Sequence, residues 1–201
     1  VVSSDKTVLN NQLDQMQTGS VPNDGGRLIL SYNEKRSLSN SFPSSNNFIY
    51  SFLGSEDYIK GLIRYCLVIR DEEVEQAENI PDLESRLSDV NRLRLISKKR
   101  ETRETLSKFP NRFQHRGPIP SKSVIIIPAV SSERREWYPV GMLPNRTVVS
   151  NLAFLIADAP LWNMALIASR IHLVWIATVC GKLKTDFRYS NTLGWNTFPV
   201  P

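Results

Sequence analysis

The stretch of residues 123–159 constrains the fold more than any other part of this 201-residue chain. It is rich in β-branched and aromatic residues and is interrupted by Pro, Gly and Asn, a pattern that is typical of strands in a half-buried sheet. The predicted strands are 124–127, 137–140 and 147–156, with a turn at 141–145. Between the first two strands, the polar loop 131–135 would stand on a rigid platform.

Two long helices are predicted beside this sheet. Residues 82–109 have an apolar stripe at steps of three and four, which predicts one long amphipathic helix with a basic opposite face. Its members are Leu83, Leu87, Val90, Leu93 and Ile96. Residues 160–181 predict an apolar core helix that bends near Ser169 or His172 and is too polar to span a membrane. The fold class is therefore α+β: a mixed or antiparallel sheet core, a long basic helix and a C-terminal apolar helix.

Shorter elements precede the sheet. Ser31 and Glu34 predict a capping box for a helix that reaches about residue 39. Residues 64–69 predict a buried strand, and the acidic segment after them predicts a linker or a solvated turn.

The charge is unevenly distributed. The net charge of +5 and the isoelectric point near 9.3 favour a polyanionic partner. Residues 71–84 hold seven acids and no base, whereas residues 86–116 hold ten Lys or Arg and three acids. The two cysteines, Cys66 and Cys180, lie in apolar surroundings without metal-ligand spacing and predict buried reduced thiols. Together with the lack of a signal-peptide pattern, they indicate a cytoplasmic protein and no membrane partner.

Catalytic motifs are not found in the sequence. It contains no glycine-rich phosphate loop, no G-x-S-x-G elbow, no H-E-x-x-H and no zinc-type spacing. Asp82 and Glu84 are best explained as helix-capping acids. His172 lies on an apolar helix, which predicts that it packs in the core. His115 lies in a basic loop where it could contact a phosphate or a base.

Binding chemistry is better represented. In the loop 131–135, guanidinium groups can donate to guanine or phosphate, hydroxyl groups can bond to either, and a carboxylate can accept from cytosine. The alternative is a surface hairpin with internal Arg–Glu pairs. Along 146–151, alternate residues share a face, so either Arg146, Val148 and Ser150 or Thr147, Val149 and Asn151 could face a groove.

Four ordered segments carry a resemblance to a known family. They are GSVPNDGGRLILS, FLGSEDYIKGLIRYCLVI, IIIPAVSSERREWYPVGMLPNRTVVSNLAFLI and ASRIHLVWIATVCGKLKTDFRYSNTLGWNTFPVP. This region, about 19–201, resembles the target-recognition region of type IIG/IIL single-chain restriction-modification enzymes, in which an endonuclease, an adenine-N6 DNA methyltransferase and a recognition domain are joined. The ending N-x-F-P-x-P is also similar to that of type I specificity subunits.

The resemblance implies a non-catalytic module that binds double-stranded DNA in the major groove for a methyltransferase domain of the same parent chain. Residues 1–18 would be the trailing edge of that domain, and 19–201 the recognition domain. S-adenosylmethionine and Mg²⁺ would serve the parent's other domains, and no cofactor is expected in this fragment. Candidate base-reading residues are Arg112, His115, Arg116, Ser131, Ser132, Glu133, Arg134, Arg135, Arg146, Thr147, Ser150 and Asn151. Candidate phosphate contacts are Lys182, Lys184 and Arg188.

Two other functions are open. A general adaptor for RNA or single-stranded nucleic acid would expose stacking aromatics, for which Trp137 and Tyr138 are candidates. A free-standing hydrolase would need an unrecognised metal site, which added magnesium and labelled DNA would test.

Overall fold

The computed structural model describes residues 13–200, and within that range it contains eleven strands and seven α-helices. The strands are β1 Gln17–Thr18, β2 Ile29–Leu30, β3 Ile49–Leu53, β4 Arg64–Leu67, β5 Ser123–Pro128, β6 Val130–Ser131, β7 Gly141–Pro144, β8 Thr147–Val149, β9 Ala153–Ala157, β10 Gly181–Leu183 and β11 Asp186–Arg188. The helices are α1 Tyr32–Ser41, α2 Ser55–Lys60, α3 Val74–Glu78, α4 Pro81–Leu95, α5 Arg100–Glu104, α6 Leu161–Ala168 and α7 Arg170–Val179.

The first sheet has the strand order β2-β4-β3-β8. Its neighbours are antiparallel except for β3 and β8, which are parallel. Leu83, Leu87 and Val90 of α4 belong to the hydrophobic core of this sheet. The predicted capping box begins α1: the Ser31 amide donates to Glu34 at 2.9 Å, and the Glu34 amide donates to the Ser31 hydroxyl at 3.3 Å.

The second sheet has the order β1-β9-β5-β7 and is antiparallel throughout. Successive side chains of a strand point to opposite faces. Accordingly Ile125 and Ile127 pack into a core with α6 and α7, and Val124 and Ile126 pack into another core with β8 and β9. Strand β5 is therefore buried on both faces.

The third sheet is small and has the order β10-β11-β6, all antiparallel. Strands β10 and β11 form a hairpin, and β11 pairs with β6, the strand that follows β5 in the chain. The predicted α+β class with mixed and antiparallel sheets is thus confirmed.

Residues 19–21 join the first two sheets. The Gly19 amide donates to Ala153 at 3.1 Å, and the Ser20 amide donates to Val149 at 2.7 Å. A Cβ atom at Gly19 would lie only 2.2 Å from the Ser150 carbonyl oxygen. This close approach of two backbones is why only glycine fits at position 19.

The predicted long helix over 82–109 is wrong. Helix α4 ends at Leu95, α5 covers Arg100–Glu104, and a 3-10 turn covers Leu106–Lys108. The apolar stripe also stops early, because Ile96 is 77% exposed.

Arg94 explains why the predicted helix is broken after Leu95. It is buried, so the prediction of a solvated basic face is wrong at this position. Its side chain is 2% exposed and donates five hydrogen bonds of 2.8–3.3 Å to backbone carbonyls. The acceptors are Pro22, Asn23, Leu106, Phe109 and Arg112. A straight helix over residues 82–109 would place residues 106–112 far from Arg94. The chain instead folds back, so that the carbonyls of Leu106, Phe109 and Arg112 accept from the guanidinium. Burial lowers the pKa of Arg94, but a guanidinium stays charged in proteins.

Two predicted strands in the 123–159 stretch also need correction. Residues 137–140 are not a strand, and the residues predicted as a turn form β7 instead. The real turn is one step later, where Arg146 has a positive φ of 59°. Residues 147–156 are not one strand, because a turn at 150–152 divides them into β8 of the first sheet and β9 of the second.

The C-terminal apolar helix is bent as predicted. Helices α6 and α7 meet at Ser169 with a bend of 64°, and the Ser169 hydroxyl caps α7 by accepting from the His172 amide at 3.1 Å. Within residues 13–200 no single helix is long and apolar enough to cross a membrane, although this bent pair passes by length and composition alone.

Three smaller expectations can be compared with the structure. The acidic segment predicted as a linker or a turn includes helix α3, which buries Ala77. Both cysteines are free and buried, as predicted. The described part of the predicted trailing edge, residues 13–18, includes β1 and the buried Met16.

His172 is a buried core residue, as expected. Its Nε2 lies 2.9 Å from the Tyr189 hydroxyl, and its ring packs edge-on against Trp195 and Phe198. Burial lowers the pKa of His172 to about 4. The folded protein therefore opposes protonation of this imidazole.

We expect Arg94→Ala to lower the free energy of unfolding by about 3 to 5 kcal/mol, because buried carbonyl oxygens lose a charged donor. Arg92→Ala is the matched control on the same helix. Its side chain is 77% exposed, and the change should stay below about 0.5 kcal/mol. Urea denaturation of both variants measures the difference, and equal effects would contradict the structural role of Arg94.

His172 should make stability depend on pH between about 6.5 and 4. The unfolded chain binds a proton in this window and the folded chain does not, so the free energy of unfolding should fall by about 3 kcal/mol as the pH drops from 6.5 to 4. Denaturation curves at several pH values measure this slope. It should be absent in His172→Phe, and a wild type without the slope would refute the assignment.

Candidate nucleic-acid interface

The loop 131–135 begins at the end of β6 and exposes its two arginines. The amides of Arg134 and Arg135 both donate to Ser132, to its hydroxyl at 3.3 Å and to its carbonyl at 3.2 Å respectively. These bonds form a tight turn that projects both guanidinium groups outward. Ser131 differs from the expectation, because its hydroxyl is buried and has no hydrogen-bond partner among the described residues.

The hairpin of β10 and β11 lies beside this loop. Phe187 pairs with Ser131 and Arg188 pairs with Val130. The Lys182 ammonium donates to the Glu133 carboxylate at 3.0 Å. Two candidate groups that are about fifty residues apart in the chain thus form one surface.

The two faces of the hairpin differ. Because alternate residues share a face, Lys182 lies with Phe187 on the side of Ser131, whereas Leu183 and Arg188 lie on the other side. That second side opens into a cleft of about 720 Å³. The cleft is lined by Ser55, Glu56, Ala129, Val130, Asn151, Leu152, Phe154, Leu183, Arg188, Tyr189, Ser190 and Asn191.

The turn between β8 and β9 forms the opposite wall of the cleft. It exposes Asn151 and Leu152, and its backbone is held from two directions. The Asn151 amide donates to Ser20 at 2.9 Å. The Ser55 hydroxyl donates to the Leu152 carbonyl and accepts from the Ala129 amide at 2.9 Å. These hydrogen bonds fix the turn that carries Asn151, and Arg188 lines the same cleft from the hairpin.

The cations of this surface fall into two classes. Lys182 is neutralised by Glu133. Among the ion pairs and side-chain hydrogen bonds of residues 13–200, none involves the side chains of Arg134, Arg135, Lys184 and Arg188. A cluster of like charges without counter-ions in the protein is suited to an anionic ligand.

The basic loop 112–116 is attached behind this wall. His115 exchanges backbone hydrogen bonds of 2.8 and 3.2 Å with Val21, and the Gly117 amide donates to the Ser20 hydroxyl at 3.0 Å. Residues 20 and 21 thus connect this loop to Asn151, which bonds to Ser20 as well.

Arg112 itself is already engaged. Its guanidinium makes a two-bond contact with the Asp71 carboxylate and stacks at 3.8 Å on the Phe109 ring. Hydrogen bonds from Arg112 and Asn111, with the nearby charge of Arg116, lower the pKa of Asp71 to about 2. Arg116 and His115 are exposed.

Residues 146–150 do not present an alternating face to a groove, which corrects both alternatives drawn from the sequence. Thr147, Val148, Val149 and Ser150 are all buried. Arg146 is exposed but donates to the carbonyls of Asn46, Asn47 and Ile49 at 2.7–3.0 Å, and its guanidinium lies 4.6 Å from the Tyr50 ring centroid. It ties the start of β8 to the loop before β3.

Of the twelve residues that line the cleft, the sequence named only Asn151 and Arg188 as candidates. The exposed side chains that it missed include Glu56, Leu152 and Leu183. Glu56 lies in the first turn of α2, where an acidic residue is explained by the helix dipole alone. The alternation of Lys182, Leu183 and Lys184 could have indicated an exposed strand that carries Leu183 on one face. Leu152 had no such signal, because its exposure results from a turn between two sheets.

Comparisons with known proteins agree with the fold. The chain is 34% identical over 201 residues to DNA methyltransferase A of Bacillus subtilis (strain 168), covering all of this chain and 23% of that protein. It also matches the structure of the type IIL restriction-modification enzyme MmeI in complex with DNA, with 28% identity and a TM-score of 0.85, covering 96% of this chain and 25% of that one. The chain thus spans about a quarter of each relative.

The family described as the MmeI target recognition domain matches residues 1–201. That match covers the whole chain and confirms the resemblance to the target-recognition region of these enzymes. The chain belongs to the MmeI target recognition domain family.

Proposed function

We propose that this domain is a non-catalytic DNA sequence-recognition module that reads a short site in the major groove. The observation that supports this most is the β-ribbon of β10 and β11 beside the cleft that holds Asn151 and Arg188. Strand β10 is exposed throughout, whereas β11 exposes Arg188 and buries Phe187. The major groove of B-DNA, about 12 Å wide, admits such a ribbon. Unpaired cations along its rim would attract the phosphates that flank the groove.

The chemistry of the cleft fits base edges. A guanidinium such as that of Arg188 can donate two hydrogen bonds to guanine. A side-chain amide such as that of Asn151 can donate one hydrogen bond to adenine and accept another from it. The apolar side chains of Leu152 and Leu183 can contact a thymine methyl group. Arg188, which the sequence assigned to phosphate, is thereby proposed to contact a base.

The remaining candidates are assigned to the DNA backbone or to support. Lys184, Arg134 and Arg135 are exposed and would contact phosphates or outer base edges. His115 and Arg116 would contact the backbone farther along the duplex. Support, through buried or engaged side chains, is proposed for Ser131, Ser132, Glu133, Lys182, Arg112, Arg146, Thr147 and Ser150.

The activity of the parent is proposed from its relatives. A DNA methyltransferase in one and a restriction-modification enzyme in the other support a parent that methylates DNA. From the family resemblance, we propose that it methylates adenine at N6 with S-adenosylmethionine and cleaves DNA with Mg²⁺. The methyltransferase domain of the same chain would be the protein partner of this module. The domain boundary at residue 18 and the cytoplasmic location remain predictions.

Duplex DNA fits the cleft better than a single strand does. Of the two aromatic residues that line it, Tyr189 is buried and Phe154 packs in the core, so neither offers a free stacking face. Trp137 is exposed, but the Arg170 guanidinium lies 5.9 Å from its ring centroid. Competition between duplex, single-stranded DNA and RNA of the same sequence tests this choice. Preference for a single strand would refute the proposal.

Arg188→Ala and Lys184→Ala should have different effects on the full-length parent. If Arg188 contacts a base, its loss should cost about 1 to 3 kcal/mol and relax specificity at one position. If Lys184 contacts a phosphate, its loss should weaken all sequences equally and reduce the salt slope by about 1. Binding to a library of sites at several salt concentrations separates the two. Uniform weakening in Arg188→Ala would reassign that residue to the backbone.

Arg135→Ala should also weaken binding by about 1 to 3 kcal/mol if Arg135 contacts a base, with relaxed preference at one position. Arg100→Ala is a suitable control, because its side chain is 84% exposed and pairs with Glu104, and neither residue lines the cleft. Binding and methylation by the intact parent provide the measurement. Unchanged binding in Arg135→Ala would remove this residue from the interface.

A further inference from the structure

Helices α6 and α7 expose apolar side chains that this domain does not cover. Helix α6 has no charged residue, and its Leu161 and Trp162 are exposed. On α7, Ile171 and Val174 are exposed as well, one turn apart on the same side of the helix. We call these four residues the α6–α7 face. Exposed apolar side chains on two successive helices whose only charged residue is Arg170 form a candidate interaction surface.

The α6–α7 face adjoins the recognition surface without being part of it. Arg170 at the start of α7 lies over the ring of Trp137 and 3.8 Å from the carboxylate of Glu136, both just after the loop 131–135. At its other end, α7 stops at Val179, and β10 starts at Gly181. A body bound to this face would lie next to a duplex held by the hairpin.

The chain also enters the domain beside these helices. The Asp14 carboxylate accepts from the Asn163 amide of α6 at 2.7 Å, and the Asp14 carbonyl accepts from the Trp195 indole at 2.8 Å. The curated relative is more than four times as long as this chain, since the match covers 23% of it. If the methyltransferase domain precedes this domain in the parent, as the family resemblance implies, it would be tethered beside α6.

We propose that the α6–α7 face docks against the methyltransferase domain of the same parent chain. This proposal rests on the proposed function, since a methyltransferase must act on the same duplex that the recognition cleft holds. Its docking surface must then adjoin the cleft while leaving it open, and the α6–α7 face meets both conditions. Because docking is intramolecular, a modest apolar area is sufficient, as the tether supplies a high effective concentration.

The test compares two exposed isoleucines in the full-length parent. Ile171 on the α6–α7 face is 76% exposed and Ile96 at the end of α4 is 77% exposed, so a glutamate at either position should leave the fold of this domain intact. Ile171→Glu is expected to lower the kcat/KM for methylation at least tenfold without changing the sequence methylated. Ile96→Glu should stay within twofold of wild type. Equal effects of the two variants would overturn the proposal.

A cross-linking experiment identifies what covers the face. Ile171→Cys in the full-length parent, labelled with a thiol-reactive photoprobe, should form adducts with the methyltransferase domain of the same chain. Adducts with a second copy, detected by mixing isotopically labelled protein, or with added lipid vesicles would overturn the proposal. The variant Arg188→Ala distinguishes a failure of the proposed function from a failure of the docking proposal. If it leaves sequence preference unchanged while Ile171→Glu still lowers methylation, the assignment of the cleft fails and the docking face stands.

Discussion

The structure depends on the close approach of residues 19–21 to residues 149–153. Four backbone segments meet there: β8 of the first sheet, β9 of the second, the incoming chain at Gly19, and the basic loop through His115. Hydrogen bonds of 2.7–3.2 Å hold this junction, and a Cβ at Gly19 would collide with the Ser150 carbonyl. Since the turn that carries Asn151 is part of the junction, the contact that unites the two sheets also positions one wall of the cleft.

Two arginines show that positive charge in this domain serves two purposes. Arg94 is buried and donates its hydrogen bonds to backbone carbonyls, which fixes the path of residues 106–112. Arg188 is exposed in the cleft and lacks an ion pair within the described residues. A guanidinium saturated with protein acceptors cannot bind a ligand without breaking those bonds, and leaving the acceptors unsatisfied is costly. The number of basic residues therefore overstates the surface that is open to DNA.

The cleft combines three stiff elements from distant parts of the chain. Ser55 of α2 bonds to both Ala129 and Leu152, and β6 is extended by the hairpin through the pairing of Arg188 with Val130. Groups held on strands and short turns lose little conformational entropy when they meet a ligand. Helix α7 leads directly into the same hairpin, so sequence recognition and domain docking are proposed for neighbouring surfaces.

Local sequence determined the elements whose signals are local. The capping box at Ser31, the bend at Ser169, the buried strand β5 and the family motifs were all predictable, because caps, breaks and apolar periodicity act within a few residues. Tertiary structure alone decided that β8 and β9 belong to different sheets, that Arg94 is buried, and that Asn151 and Arg188 share a cleft. Those outcomes depend on pairing between segments many residues apart, and one residue of register reverses which face a side chain occupies.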